Sequence, residues 1–174
     1  MPTKKSKKTK SKISAAQWRK IRLFAMDVDG ILTDGSLIVS SDGTESKTFS
    51  ILDGAGLIYL GWAGITTAWL SGRKSGATTV RAKDLKIPYV VQGQDDKLAE
   101  LKKLAAKLKL TADQIVYMGD DAIDAPAIKW AGIGISVSNA QPPALAAADI
   151  ITKKAAGAGA VREICNCILA AHGK

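Results

Sequence analysis

The chain has one histidine and two cysteines in 174 residues. It therefore lacks the clustered nitrogen and sulfur ligands that a zinc site needs. Cys165 and Cys167 lie two apart in a segment that reads as helix, on diverging faces, so they do not suit a mutual disulfide. A reducing cytoplasm fits that usage. No apolar run approaches the roughly 20 residues needed to span a bilayer, and the basic start is not followed by the apolar core of a secretory signal. Acid is missing from residues 1–22, which hold nine lysines and arginines.

That last absence explains the net charge of +9, because the rest of the chain carries 16 basic and 16 acidic residues and is neutral. A run such as Lys4, Lys5, Lys7, Lys8, Lys10 and Lys12 cannot bury apolar area. Residues 1–13 are expected to be a disordered, solvated basic tail rather than a contact for nucleic acid or an anionic membrane. With 47% apolar residues, residues 14–174 suit a single domain that buries roughly two-thirds of its unfolded surface.

Ser14-Ala-Ala-Gln17 reads as a capping box opening a short helix to Lys20. The apolar run Ile21–Met26 follows, as in a strand buried on both faces. Similar runs recur at Ile65–Leu70, Tyr89–Val91, Ile115–Met118, Ile133–Val137 and Asp149–Ile151. Between them, Lys97–Leu108 and Val161–Leu169 show one-sided apolar spacing at i, i+3, i+4 and i+7. This alternation predicts an α/β fold of the Rossmann type, a parallel sheet with helices on both faces. One segment breaks the rhythm. Leu37–Ser40 and Glu45–Phe49 flank Asp42-Gly43, which predicts a β-hairpin over 37–49, with no evident cover within its own chain. No long insertion follows it, so there is no room for a lid, and the domain is expected to be capless.

Open α/β sheets bind ligands at the carboxyl ends of their strands. The polar residues just past each apolar run are Asp27-Val-Asp29-Gly30, Ser71-Gly72-Arg73, Gln92-Gly-Gln-Asp-Asp-Lys97 and Gly119-Asp120-Asp121-Ala-Ile-Asp124. Carboxylates gathered at one edge repel unless a hard cation joins them, and Mg²⁺ suits one or two carboxylates with a substrate phosphate. Cation and lysine together neutralise phosphoryl oxygens, so that an aspartate can attack phosphorus. A second carboxyl two residues on can protonate the leaving alcohol and then deprotonate water. Each feature alone has a plain alternative: Asp-x-Asp as a turn, Ser71 and Asp120 or Asp124 as helix caps, Lys97 as a solvated side chain. Their succession past four strands carries the signal.

In that order these motifs resemble those of the haloacid dehalogenase-like phosphatases. Longer stretches are similar to the branch acting on 3-deoxy-D-manno-octulosonate 8-phosphate: Asp27-Val-Asp-Gly-Ile-Leu-Thr-Asp-Gly35, Phe49-x-x-x-Asp-Gly54, Gln92-Gly-Gln-x-x-Lys97, Gly119-Asp-Asp-Ala-Ile-Asp124 and Gly159-Ala-Val-Arg-Glu-Ile-Cys165. The resemblance covers about residues 20–173 and implies Mg²⁺ as cofactor. It implies Asp27 as nucleophile and metal ligand, Asp29 as acid/base and ligand through its carbonyl, and Asp120 as the third ligand. Ser71 and Lys97 would hold the phosphoryl group, with Asp124 in support. Asp29, Asp53, Gly54, Ser71, Gly72, Arg73, Arg81, Lys97 and Asp121 are the implied substrate-binding set. A homotetramer whose hairpins pair is implied too.

Two family arginines are replaced. Leu52 precedes Asp53, and Ala156-Gly157-Ala158-Gly159 stands where the family commonly reads Gly-Gly-Arg-Gly. Two acidic sugar phosphates therefore stay open, octulosonate 8-phosphate and a sialic-type sugar 9-phosphate. An idle assembly module need not retain Asp27, Asp29, Lys97 and Asp120. A phosphate-accepting receiver domain carries its acidic pair before the acceptor strand and has no counterpart of Asp29.

Overall fold

The structure, a computed structural model, describes residues 13–174. Most of the expected basic tail lies outside the described residues. Ile13, assigned to that tail, instead packs against the core. Helix α1 (Ala15–Lys20) opens on the expected capping box: Ser14 N–H donates to Gln17 Oε1 at 2.9 Å, and Gln17 N–H donates to Ser14 Oγ at 3.3 Å. Strand β1 (Leu23–Met26) follows, then the hairpin strands β2 (Ile38–Val39) and β3 (Glu45–Ser46). The chain continues through α2 (Ile51–Trp62), β4 (Thr66–Ser71), α3 (Gly76–Asp84), β5 (Tyr89–Gln92) and α4 (Lys97–Leu108). It ends with β6 (Ile115–Met118), α5 (Ala125–Trp130), β7 (Ile133–Ser136), α6 (Pro142–Ala147), β8 (Ile150–Ile151) and α7 (Ala160–Ala171).

Six strands form one parallel sheet, as the alternating pattern predicts, in the order β5-β4-β1-β6-β7-β8. Chain order reverses at β1, so the crevice between β1 and β6 is where such sheets bind ligands. The strands read as continuous apolar runs because both faces are covered. Alternate residues separate cleanly. Phe24, Met26, Trp69, Val116 and Met118 join the core with α1, α2 and α7. Leu23, Ala25, Ala68, Leu70, Ile115 and Tyr117 join the second core beneath α4, α5 and α6. Fully burying each Leu, Ile or Met of these runs contributes about 1.5–3 kcal/mol.

The hairpin is shorter in pairing than expected, Ile38 opposite Ser46 and Val39 opposite Glu45 only. Its turn is as expected: Gly43 takes φ +83°, and Asp42 Oδ1 accepts the Thr44 N–H at 2.9 Å. The expectation that the hairpin lacks cover in its own chain holds for one strand only. Ile38 and Val39 are exposed, whereas along 45–49 the burial alternates, with Glu45, Lys47 and Phe49 turned inward. Phe49 stacks on Trp69 with ring centroids 6.2 Å apart.

Candidate active site

Strand β1 ends at Met26, and the next residue, Asp27, lies at the β1–β6 crevice with only 7% of its surface exposed. Its Oδ1 accepts the Val28 N–H at 2.7 Å and the Lys97 ammonium at 2.9 Å. Lys97 opens α4, is fully buried, and donates a second bond to the Leu70 carbonyl at 2.7 Å. A lysine placed so deep needs both partners, because an unpaired buried charge is costly. From β6 come Asp120 and Asp124. Ligand oxygens of Asp27, Asp120 and Asp124 lie within 4.8 Å of one another.

These three acids are not equivalent. Asp124 Oδ1 accepts the Tyr117 hydroxyl at 2.6 Å, with Lys97 Nζ at 3.6 Å. Asp124 Oδ2 accepts the N–H groups of Asp120 and Asp121 at 3.2 and 3.1 Å. Both oxygens are thus engaged. Among the described residues, no other residue donates to the Asp120 carboxylate, and Asp27 Oδ2 takes no hydrogen bond. Burial and the neighbouring Asp124 charge, opposed by Lys97, push Asp27 up to about 7. Burial and the charges of Asp27, Asp124 and Asp121 push Asp120 up to about 7 as well. Crowded all-oxygen donors held this way fit a hard divalent cation. Gly30, at φ +83°, lets the backbone pass against Asp120, since a Cβ there would overlap its carboxylate.

Asp29 stands beside this cluster and faces the hairpin. Its Oδ1 and Oδ2 meet Lys47 Nζ at 2.7 and 2.9 Å, and Arg73 Nε lies 4.0 Å from Oδ2. The half-exposed Arg73 pairs with Glu45 at 2.9 Å. Ser71 Oγ donates to the Arg73 carbonyl at 3.0 Å. Gly72 passes the Asp95 carboxylate so closely that a Cβ would lie 2.7 Å from it. Asp121 is exposed and accepts the Ala122 N–H at 2.6 Å.

The sequence model of the haloacid dehalogenase-like hydrolases matches residues 68–164. The 3-deoxy-D-manno-octulosonate 8-phosphate phosphatase of Escherichia coli K12 is 38% identical over 159 residues, covering 91% of this chain and 85% of the relative. Its counterpart from Moraxella catarrhalis, crystallised with magnesium, phosphate and the sugar, is 48% identical over 90% of each chain, with a TM-score of 0.88. The cobalt-bound enzyme of Haemophilus influenzae is 36% identical over 91% of this chain and 92% of that one, with a TM-score of 0.87. This chain belongs to the haloacid dehalogenase-like hydrolase family.

In this hydrolase, part of the expected substrate-binding set is engaged elsewhere. Asp53 is buried and accepts the N–H groups of Gly159 at 3.3 Å and Arg162 at 2.8 Å, fixing the start of α7 to α2. Burial raises its pKa, and these amides oppose the rise. Gly54 packs on Arg81, where a Cβ would lie 2.5 Å from the guanidinium. Arg81 pairs with Asp84 at 2.7 Å. As folded, these three residues join α2, α3 and α7. Three contributors lie outside the sequence motifs: Lys47, Glu45 and Tyr117. The first two were detectable, since Glu45, Lys47 and Phe49 keep the period of two just after an Asp-Gly turn. Tyr117 hides inside an apolar strand, where a tyrosine reads as core.

Proposed function

We propose that this hydrolase cleaves the phosphate ester of an acidic sugar, 3-deoxy-D-manno-octulosonate 8-phosphate or a sialic-type sugar 9-phosphate, through an aspartyl-phosphate on Asp27. The chain is a phosphoric monoester hydrolase. The supporting observation is the buried Lys97 ammonium on Asp27 Oδ1, which leaves Oδ2 without a donor beside Asp120. That carboxylate is oriented by one oxygen and able to attack with the other.

In the first step Asp27 Oδ2 forms a bond to phosphorus, and the bond from phosphorus to the sugar oxygen breaks. Asp29 gives a proton to the departing alkoxide. In the second step Asp29 takes a proton from a water whose oxygen attacks phosphorus. The aspartyl oxygen–phosphorus bond breaks, inorganic phosphate leaves and Asp27 is restored. Asp27, Asp120 and the Asp29 carbonyl would hold Mg²⁺, which when bound supplies charge neutralisation for the phosphoryl oxygens. Ser71 and Lys97 bind those oxygens, and Asp124 holds the Asp120 loop through its amides. Arg73 supports recognition of the sugar carboxylate. Asp53, Gly54, Arg81 and Asp121 complete the proposed substrate-binding set, the first three by shaping the rim.

The assembly and location belong to the same reading. Two cavities of about 580 and 540 Å³ flank Trp62, and neither is lined by a residue of the catalytic edge. A small sugar there needs cover from elsewhere. Ile38 and Val39 of the hairpin are exposed, and Ile51 is 82% exposed, so a homotetramer joined by its hairpins is the proposed source. No helix among the described residues is long and apolar enough to cross a membrane, and the two free cysteines suit the cytoplasm.

A phosphate-release screen over sugar phosphates, with and without Mg²⁺, tests the function. Mg²⁺-dependent release from either acidic sugar phosphate, well above release from neutral sugar phosphates, is expected. A clear preference for neutral sugar phosphates overturns the substrate class. Light scattering that finds an active monomer at micromolar concentration overturns the tetramer.

A further inference from the structure

Tyr117 is fully buried in β6, on the face covered by α4 and α5, and its hydroxyl is the one polar group it brings there. That hydroxyl donates to Asp124 Oδ1 at 2.6 Å, the same oxygen that faces Lys97 Nζ at 3.6 Å. Lys97 has three protons to place. Two go into short contacts, with Leu70 O at 2.7 Å and Asp27 Oδ1 at 2.9 Å. The third direction points toward Asp124 at the longer distance. Two aspartates thus compete for one ammonium in a dry pocket, where such attractions are strong. The phenol already fills the competing oxygen.

We propose that Tyr117 is a positioning residue: by occupying Asp124 Oδ1 with its hydroxyl, it keeps the Lys97 ammonium on Asp27. The remaining contacts on Asp124 fit this role. Its Oδ2 is held by the Asp120 and Asp121 amides, and a Cβ at Gly119 would overlap the Asp124 side chain. Asp124 therefore cannot swing away to relieve the competition. Without the hydroxyl, Oδ1 is a buried anionic oxygen lacking its short donor. Lys97 is the nearest cation in contact with it, and the ammonium moves toward it and off the nucleophile.

This inference rests on Asp27 as nucleophile, and its test is scored separately from that reading. Tyr117→Phe keeps the ring that fills the core and removes only the donor. Its kcat on a sugar phosphate is expected to fall about tenfold to a hundredfold, the loss typical of a small misplacement at a reacting centre. Mg²⁺ binding, measured by calorimetry, is expected to change by less than about threefold, because the ligands Asp27 and Asp120 are untouched. The decisive comparison is the double variant Tyr117→Phe/Asp124→Asn. The neutral amide accepts from the two backbone N–H groups and no longer competes for the ammonium, so the double variant should exceed Tyr117→Phe in kcat. A purely structural hydroxyl predicts losses that add or worsen. A Tyr117→Phe enzyme within about threefold of wild-type kcat overturns the proposal, as does an additive double variant or a Tyr117→Phe protein that does not fold. The comparison is made among variants that all retain Asp27. Retained turnover in Asp27→Asn would instead sink the nucleophile and leave the Tyr117 ratios to be read on their own.

Discussion

Asp27 and Asp53 are both buried aspartates, and their surroundings divide them. Asp53 receives two backbone N–H groups at the start of α7, donors that a carboxylate at a helix N-terminus ordinarily attracts. Asp27 receives one backbone N–H and an ammonium, and it faces two further acids. The first arrangement is complete within the chain. The second is held short of completion, with both Asp27 and Asp120 pushed up to about 7. Burial of an acid therefore says little about its task. The identity of its donors says what it is for.

The strongest way to break this contrast is Asp27→Asn, which should lower turnover about ten-thousandfold or more while the protein stays folded. Substantial turnover in that variant, measured by phosphate release, would sink the covalent mechanism. Asp29→Asn should cost about a hundredfold or more on a sugar phosphate and much less on an aryl phosphate, whose leaving group needs little proton donation. Equal losses on both substrates would remove Asp29 from proton transfer.

Asp53→Ala sharpens the other side. Two amides at the start of α7 lose their acceptor, so stability should fall by about 1–3 kcal/mol, and the loosened rim should raise KM for a sugar phosphate more than it lowers kcat. Denaturant melts checked against active-site titration separate the two effects, and an unchanged midpoint would refute the joint. The smallest effect concerns pH. In the metal-free protein Asp27 and Asp120 hold protons that the unfolded chain, at the ordinary 3.8, has released. Stability should therefore decline as pH rises from about 4 through about 7, and the stabilisation by Mg²⁺ should grow across the same window. Thermal melts at about pH 5.5 and about pH 8 with equal Mg²⁺ shifts would falsify it.

The sheet and the gathering of Asp27 with Asp120 at one edge are legible because their causes are local. Strands buried on both faces spell continuous apolar runs, and the first one or two residues after each run lie at the edge where such sheets bind ligands, as with Asp27, Ser71 and Asp120. Contacts between distant segments left no such mark. Nothing near Asp53 indicates that Gly159 and Arg162, more than 100 positions on, supply its donors. Lys47 leaves no mark for a different reason. A lysine in a hairpin reads as solvated, and only the fold reveals Asp29 opposite it. The hairpin's pairing is shorter than its sequence suggests, because the apolar and β-branched residues flanking its turn suit strands while the ladder closes over two pairs.

The alternation of Glu45, Lys47 and Phe49 makes the hairpin count in twos. Phe49 is held by its stacking on Trp69, while the turn at Asp42-Gly43 is exposed. Removing or adding one residue between Lys47 and Phe49 would keep the clamp and reverse every side chain upstream of the change. Glu45 and Lys47 would then face water, and Arg73 and Asp29 would lose their partners together. Changes of two residues preserve which side faces the body and merely lengthen or shorten the arm. The spacing from Glu45 to the aromatic therefore obeys an odd–even rule, so an engineer grafting a new hairpin tip onto this enzyme can vary the loop upstream of Glu45 but must change the stretch from Glu45 to Phe49 in steps of two.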